Sequence, residues 1–188
     1  MSKHSQIISR RLFVAGALAS TTAACGNGVG GNGGAKIDAR VDASLASLHS
    51  RYPATLDLKS KSVGMLVMPL ITKAGFGLGG AYGRGALRVN DVTVDYYSSA
   101  AASFGLQIGA QQFSHVLYFM TSDALQEFRS SAGWAAGADL EYALNDKGGN
   151  VSTETTTALD PIIAVIYGQA GLIIGATLEG TKYTRIIP

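Results

Sequence analysis

The glycine-rich segment 72–85, TKAGFGLGGAYGRG, constrains what this chain can fold into more than any other stretch. It contains no His, Cys, Asp or Glu, so it lacks the commonest catalytic acids and bases and has no cysteine nucleophile. Because glycine has no Cβ, such a stretch lets backbones approach closely and bend sharply. The segment therefore predicts bent strands rather than a catalytic loop.

Weaker copies of this pattern, a large apolar residue followed by small residues and glycine, begin at Phe104, Trp134 and Leu172. The copies are too few and too unevenly spaced for a solenoid. Strands that bend at glycine are typical of a strongly curved sheet. The predicted fold is α+β, with a strongly curved antiparallel sheet or small barrel-like β core, an N-terminal amphipathic helix and one short internal helix.

The helices are predicted from periodicity and capping residues. Apolar residues recur at helical spacing over 36–51, at Ile37, Val41, Leu45 and Leu48. Pro53 ends this helix, and a short helical turn is expected over 56–61. The internal helix is predicted over 124–130, because Thr121 and its neighbours supply N-cap chemistry.

The strands are predicted from apolar runs and turn residues. Pro69 should mark the end or the edge of a strand over 63–69, and Asn90-Asp91 should form a turn. Residues 103–120 read as two adjacent strands with a break near Gln111-Gln112. The uncharged run 161–178 is interpreted as a buried hairpin rather than a membrane span, and a last strand is expected over 182–187.

The first 25 residues have the build of an export signal, with a basic start and a short apolar run. Ser9–Val14 resembles a twin-arginine signal, and Thr22–Cys25 resembles a lipobox in which Thr22 replaces the usual Leu. Cys25 is the only cysteine of the chain and is the predicted lipidation site. The alternative is an ordinary signal peptide cut near Ala24. Residues 26–35 are a glycine-rich tether by composition, and 36–188 a single domain.

Composition and motifs argue against several classes of function. Apolar residues make up 47% of the chain and charged residues 15%, which favours a substantial core. A net charge of +2 is too small to indicate nucleic-acid binding. No P-loop, nucleophile elbow or metal-ligand spacing is present, and Asp139 and Glu141 are expected on a solvated strand face. His115 is expected to be a satisfied sheet residue, so neither an enzyme nor a cofactor or metal site is predicted.

Several stretches together resemble the SYLF domain, a lipid-binding domain of bacterial exported lipoproteins and of eukaryotic proteins. They are VGMLVMPLITKAGFGLGGAYGRGAL, SFGLQIGAQ, LYFMTSDALQEFRSSAGWAAGAD and GLIIGATLEGTKYTRI, in family order. The resemblance covers residues 44–188. It implies binding of phosphoinositide-type lipids; yeast members also bind actin filaments, which are not an expected partner of an exported bacterial protein.

The favoured interpretation is a non-enzymatic module that binds anionic phospholipids or a membrane surface from the periplasm, anchored by lipid to the inner or outer membrane. The candidate headgroup ligands are five of the basic side chains that precede the acidic part of the chain: Lys59, Lys61, Lys73, Arg84 and Arg88. Phe76, Phe104 and Trp134 could line an apolar cleft for acyl chains or could simply pack in the core. The alternative function is an envelope scaffold with no lipid ligand beyond its own anchor.

Overall fold

The computed structural model describes residues 31–137, 140–142, 160–168, 171–172 and 178–188, so the predicted signal, Cys25 and Asp139 lie outside the described residues. The elements of the described part follow in chain order. They are α1 Gly33–Arg51, α2 Thr55–Lys61, β1 Gly64–Val89, β2 Val92–Phe119, α3 Ser122–Ser130, β3 Trp134–Ala135, β4 Glu141–Tyr142, β5 Ile162–Gly168, β6 Gly171–Leu172 and β7 Lys182–Ile186.

The helices form where the sequence predicts them. The stripe Ile37, Val41, Leu45 and Leu48 is buried in α1. The helix ends at Arg51, two residues before Pro53, where the backbone N–H of Tyr52 donates to the Leu48 carbonyl at 2.8 Å. At the start of α3 the Thr121 hydroxyl accepts from the Ala124 N–H at 3.3 Å, which is the predicted N-cap.

A single long antiparallel hairpin, β1 with β2, is the centre of the sheet. Its turn is Asn90-Asp91, and both residues have positive φ (50° and 63°), as the favoured two-residue hairpin turns require. The predicted turn is therefore confirmed. Both residues belong to the types that tolerate this backbone conformation best.

Of the two roles predicted for Pro69, strand end or strand edge, the structure shows the edge, because β1 pairs only with β2 within the described residues. Pro69 does not end its strand, because β1 continues through it with a register shift between Met68 and Ile71. The Ser114 hydroxyl donates to the Pro69 carbonyl at 2.7 Å, and the shift accommodates a residue that has no N–H. The expected break at Gln111-Gln112 is wrong: both glutamines pair with β1, so backbone hydrogen bonds carry β2 across this polar interruption.

The remaining strands pair around β2. Its first part pairs with β7 and its last part with β5, both antiparallel. The order β3-β7-β2-β5-β4, with β1 on β2 and β6 on β5, gives a seven-stranded sheet within the described residues. β5 and β6 are the described part of the predicted buried hairpin, and β4 lies parallel to β5.

The sheet is strongly curved, as predicted. Gly83 lies against Ile71, and Gly85 lies against Val67, so the late part of β1 returns to the early part of the same strand. A Cβ at either glycine would overlap atoms of these neighbours. Gly83 and Gly85 of segment 72–85 are therefore needed for close approach, in addition to three register shifts that bend the hairpin.

Where β1, β2 and β5 run side by side, both faces of the sheet are buried, and alternate residues enter two different cores. One face packs under α1 and α2, through residues that include Val67, Val116 and Val165. The opposite face packs against α3, through residues that include Leu66, Leu117 and Phe128. Each such fully buried side chain stabilises the fold by about 1.5–3 kcal/mol.

Candidate functional site

Arg88, one of the five basic residues selected from the sequence, is part of an ion-pair network between the hairpin and α1. Its guanidinium lies 2.7 Å from the Asp42 carboxylate and 3.7 Å from that of Asp38. Its side chain is only 13% exposed. Asp38 also accepts hydrogen bonds from Thr93 (2.7 Å) and Tyr96 (2.8 Å). Arg88 therefore holds the tip of the hairpin against α1.

Lys59 and Lys61 lie on α2. The Lys59 ammonium contacts the Asp91 carboxylate at 2.7 Å, with the two side chains 34% and 64% exposed. This pair joins α2 to the hairpin turn and stays in contact with solvent. Lys61 is exposed at the end of the helix. Both lysines thus lie on the surface, and Lys59 contacts a carboxylate there.

Lys73 and Arg84 both lie on β1, on either side of the register shift between Gly75 and Gly77. Lys73 is half-buried and shares the face of the buried Ile71. Arg84 is exposed and shares its face with Tyr82, whose side chain is 50% exposed. The Arg84 Nε donates to the Tyr82 hydroxyl at 3.1 Å. The fold thus pairs Arg84 with an exposed aromatic ring.

The three predicted apolar-cleft residues are described to different extents. Trp134 is half-buried, and its ring centroid lies 5.4 Å from that of Phe128 and 5.8 Å from that of Tyr183. These contacts place Trp134 at the edge of the aromatic core. Phe76 and Phe104 are strand residues whose side chains lie outside the described part, so the cleft of all three stays a prediction.

His115 is a deeply buried titratable group beside this core, with 1% of its surface exposed. Its Nε2 lies 2.8 Å from the Tyr183 hydroxyl, and its Nδ1 has no partner among the described residues. Burial lowers the pKa of His115 to about 3. No metal-binding cluster of His, Cys, Asp or Glu occurs in the described part of the chain. His115 is thus a neutral core residue with one hydrogen bond.

The structure also shows a cleft that the sequence analysis did not identify. It has a volume of about 450 Å³ and lies between α1 and the neighbouring parts of β1, β2 and β5. From α1 it is lined by Arg40, Ala43, Ser44, Ser47 and Arg51. From the strands it is lined by Pro69, Leu70, Gln112, Phe113, Ser114, Tyr167 and Gly168.

A sequence signal for this cleft exists. Arg40, Ser44, Ser47 and Arg51 recur at helical spacing, beside the apolar stripe that docks α1 on the sheet. The sequence alone does not show that strand residues complete a cavity next to that row. For this reason the two arginines are easily assigned to a solvated helix face.

Comparison with known proteins bears on the part of the chain from β2 to β7. Residues 100–185 match the model of the family described as Ysc84: Las17-binding protein actin regulator. This match confirms the predicted resemblance to the SYLF domain over this part of the chain. No curated protein matches the chain. The SYLF match supports a lipid- or actin-binding module as the general class of function.

The cleft spans the boundary of the SYLF match. Its strand side, with Gln112, Ser114 and Tyr167, lies within the matched residues, whereas Arg40 and Arg51 on α1 precede them. No described helix is long and apolar enough to cross a bilayer.

Proposed function

We propose that this protein is a non-enzymatic lipid-binding module, exported to the periplasm and held at a membrane by lipid on Cys25. The SYLF family match supports lipid binding in general. The resemblance of residues 1–25 to a twin-arginine signal with a lipobox supports export and anchoring. Two acyl signals on one cysteine would suffice for stable anchoring.

The observation that carries membrane contact is the exposed pair Tyr82 and Arg84. A tyrosine ring at a membrane interface places its apolar body toward the acyl chains and its hydroxyl toward water. Each basic side chain near an anionic surface contributes about 1 kcal/mol of attraction. Arg84 contacts no carboxylate among the described residues, unlike Arg88, so its charge is available to anionic lipid.

The tether is consistent with this arrangement. Between Cys25 and Gly33, where α1 begins, the extended chain can reach at most about 28 Å. A domain anchored at Cys25 therefore stays close enough to the membrane for its surface side chains to touch the headgroups. Weak individual contacts then act at a high effective concentration of lipid.

The test is vesicle flotation of the full chain carrying Cys25→Ser, which removes the acceptor of the lipid anchor. We expect flotation with vesicles of phosphatidylcholine plus phosphatidylglycerol and little with phosphatidylcholine alone. Replacing Lys61, Lys73 and Arg84 together by Ala should weaken the anionic binding. Arg88 is left unchanged because its ion pairs stabilise the fold.

The same flotation assay distinguishes lipid binding from the alternative function of a scaffold. No flotation with any vesicle, together with stable capture of an envelope protein, would favour a scaffold with no lipid ligand beyond its anchor. Actin is not an expected partner of an exported protein, so we expect no co-sedimentation with actin filaments. Inclusion of a phosphoinositide in the vesicles tests whether the lipid preference implied by the resemblance holds for this chain.

A further inference from the structure

We propose that the cleft between α1 and the strands β1, β2 and β5 binds the phosphate-bearing headgroup of an anionic glycerophospholipid, with Arg40 as its main ligand. This inference rests on the proposed lipid-binding function and adds a specific site to it. The site uses none of the five basic residues that the sequence selected. It also predicts recognition of the headgroup inside a cavity, beyond attraction to a charged surface.

The helix provides two different faces, and only one of them is used to dock α1. Ile37, Val41 and Leu45 bury one stripe against the sheet. The adjacent row, which includes Arg40 and Arg51, faces the cleft instead. These two arginines lie about 16 Å apart along the helix axis, so they stand near opposite ends of the cavity.

The charge of the cleft matches a phosphate. Two guanidinium groups line it, and no acidic side chain is among the described residues that do so. Arg40 is exposed and makes no ion pair within the described part of the chain. A guanidinium presents a planar set of donors that fits phosphate oxygens in a bidentate manner.

Neutral hydrogen-bonding groups complete the polar wall. The Ser44 and Tyr167 hydroxyls are 2.7 Å apart and join α1 to β5. Tyr167 is buried, so this contact fixes the position of the helix against the sheet. The Ser47 hydroxyl and the Gln112 amide lie in the same lining and can donate to a bound headgroup.

The strand side of the cleft favours a lipid over a free phosphate ion. Pro69, Leu70 and Phe113 give it an apolar wall, and Leu70 is 38% exposed at the rim. A small hydrated anion gains nothing from apolar surface, whereas the glycerol and first acyl methylenes of a lipid bury against it. The volume of about 450 Å³ also lies within the range of small-ligand sites.

The first experiment compares Arg40→Glu with Lys36→Glu in the full chain carrying Cys25→Ser. Both residues are exposed on α1 and both variants change the charge equally, but Lys36 does not line the cleft. In flotation with phosphatidylglycerol vesicles, Arg40→Glu should weaken binding about tenfold or more, and Lys36→Glu much less. Equal losses in the two variants would overturn the proposal, because they would indicate a general surface field.

The second experiment blocks the cavity without changing the charge. Ala43 lines the cleft and Ala46 does not, and both are exposed on the same helix. Ala43→Trp should weaken binding to the vesicles by a similar factor, while Ala46→Trp should leave it unchanged. Full binding by Ala43→Trp, with the far-ultraviolet circular dichroism of the parent chain, would overturn the proposal.

A competition arm distinguishes the two sources of phosphate. Glycerol 3-phosphate in solution should compete poorly with the vesicles if the apolar wall contributes, and efficient competition would show a site for soluble phosphate esters instead.

The proposed lipid-binding function and the proposed cleft site are contradicted by different results. If the parent chain with Cys25→Ser does not float at all, the proposed function fails; if it floats and the Arg40 and Ala43 variants float equally well, only the cleft site fails.

Discussion

Gly85 lies so close to Val67 of the same strand that no Cβ fits between its α-carbon and the Val67 carbonyl oxygen. The two residues belong to opposite ends of β1, and their contact shows how far the long hairpin curls. Because the hairpin curls, its turn lies near the start of β1. There Arg88 contacts Asp42 of α1, and Asp91 contacts Lys59 of α2. A glycine at position 85 is thus required by the shape of the sheet.

Replacing Gly85 by Ala should destabilise the fold. The added methyl would collide with the Val67 backbone and with the sulfur of Met68, and neither can move without shifting a buried strand. We expect a loss of about 2–3 kcal/mol in the free energy of unfolding, measured by urea denaturation. Gly80→Ala is the matched control, because its nearest atom lies at an ordinary 3.5 Å. Equal stability of the two variants would contradict this account of the curl.

The ion pair of Arg88 should contribute more to stability than that of Lys59. Arg88 is mostly buried and faces two carboxylates, whereas Lys59 and Asp91 are exposed to screening by water. We expect Arg88→Met to cost about 2 kcal/mol and Lys59→Met about 0.5 kcal/mol or less. Double-mutant cycles with Asp42→Ala and Asp91→Ala would measure the two couplings, and a larger coupling for Lys59 would refute the ranking.

Acid should destabilise the protein through His115. Its pKa is about 3 in the fold against 6.5 when exposed, so the unfolded chain binds the additional proton between these values. Stability that is present above pH 6.5 is therefore lost as the pH falls toward 3, by up to about 1.4 kcal/mol per pH unit. His115→Phe should flatten this part of the stability–pH curve.

The double variant His115→Phe, Tyr183→Phe is the control for the hydroxyl that the single variant leaves without its partner. It should show the same flattened slope with part of the lost stability restored. An unchanged slope in both variants would mean that carboxylates alone cause the acid sensitivity.

Membrane binding should depend on salt and on the face of β1 that carries Arg84. Because attraction between exposed cations and an anionic surface is screened, flotation of the Cys25→Ser chain with phosphatidylglycerol vesicles should fall as salt rises. Arg84→Ala should reduce this binding, since about 1 kcal/mol of attraction is removed. Lys182→Ala, an exposed cation on β7, is the comparison, and a greater loss there would place the membrane contact on another surface.

The sequence by itself determined the local elements and the kind of sheet. Helical spacing of apolar residues located α1, the Thr121 cap located the start of α3, and Asn90-Asp91 located the hairpin turn, because each depends on neighbouring residues alone. Glycine content predicted a strongly curved sheet for a similar reason. The polar pair Gln111-Gln112 misled because local preference was outweighed by pairing with the partner strand along the hairpin.

Only the tertiary structure decided which basic side chains are available to a ligand. Arg88 looks like any other exposed cation until the curl of the hairpin places it against Asp38 and Asp42. Arg40 looks like part of a solvated helix face until β2 and β5 complete a cleft beside it. Ion pairing and cavity formation depend on contacts between residues far apart in the chain, and no local pattern encodes which of those contacts the packed sheet will make.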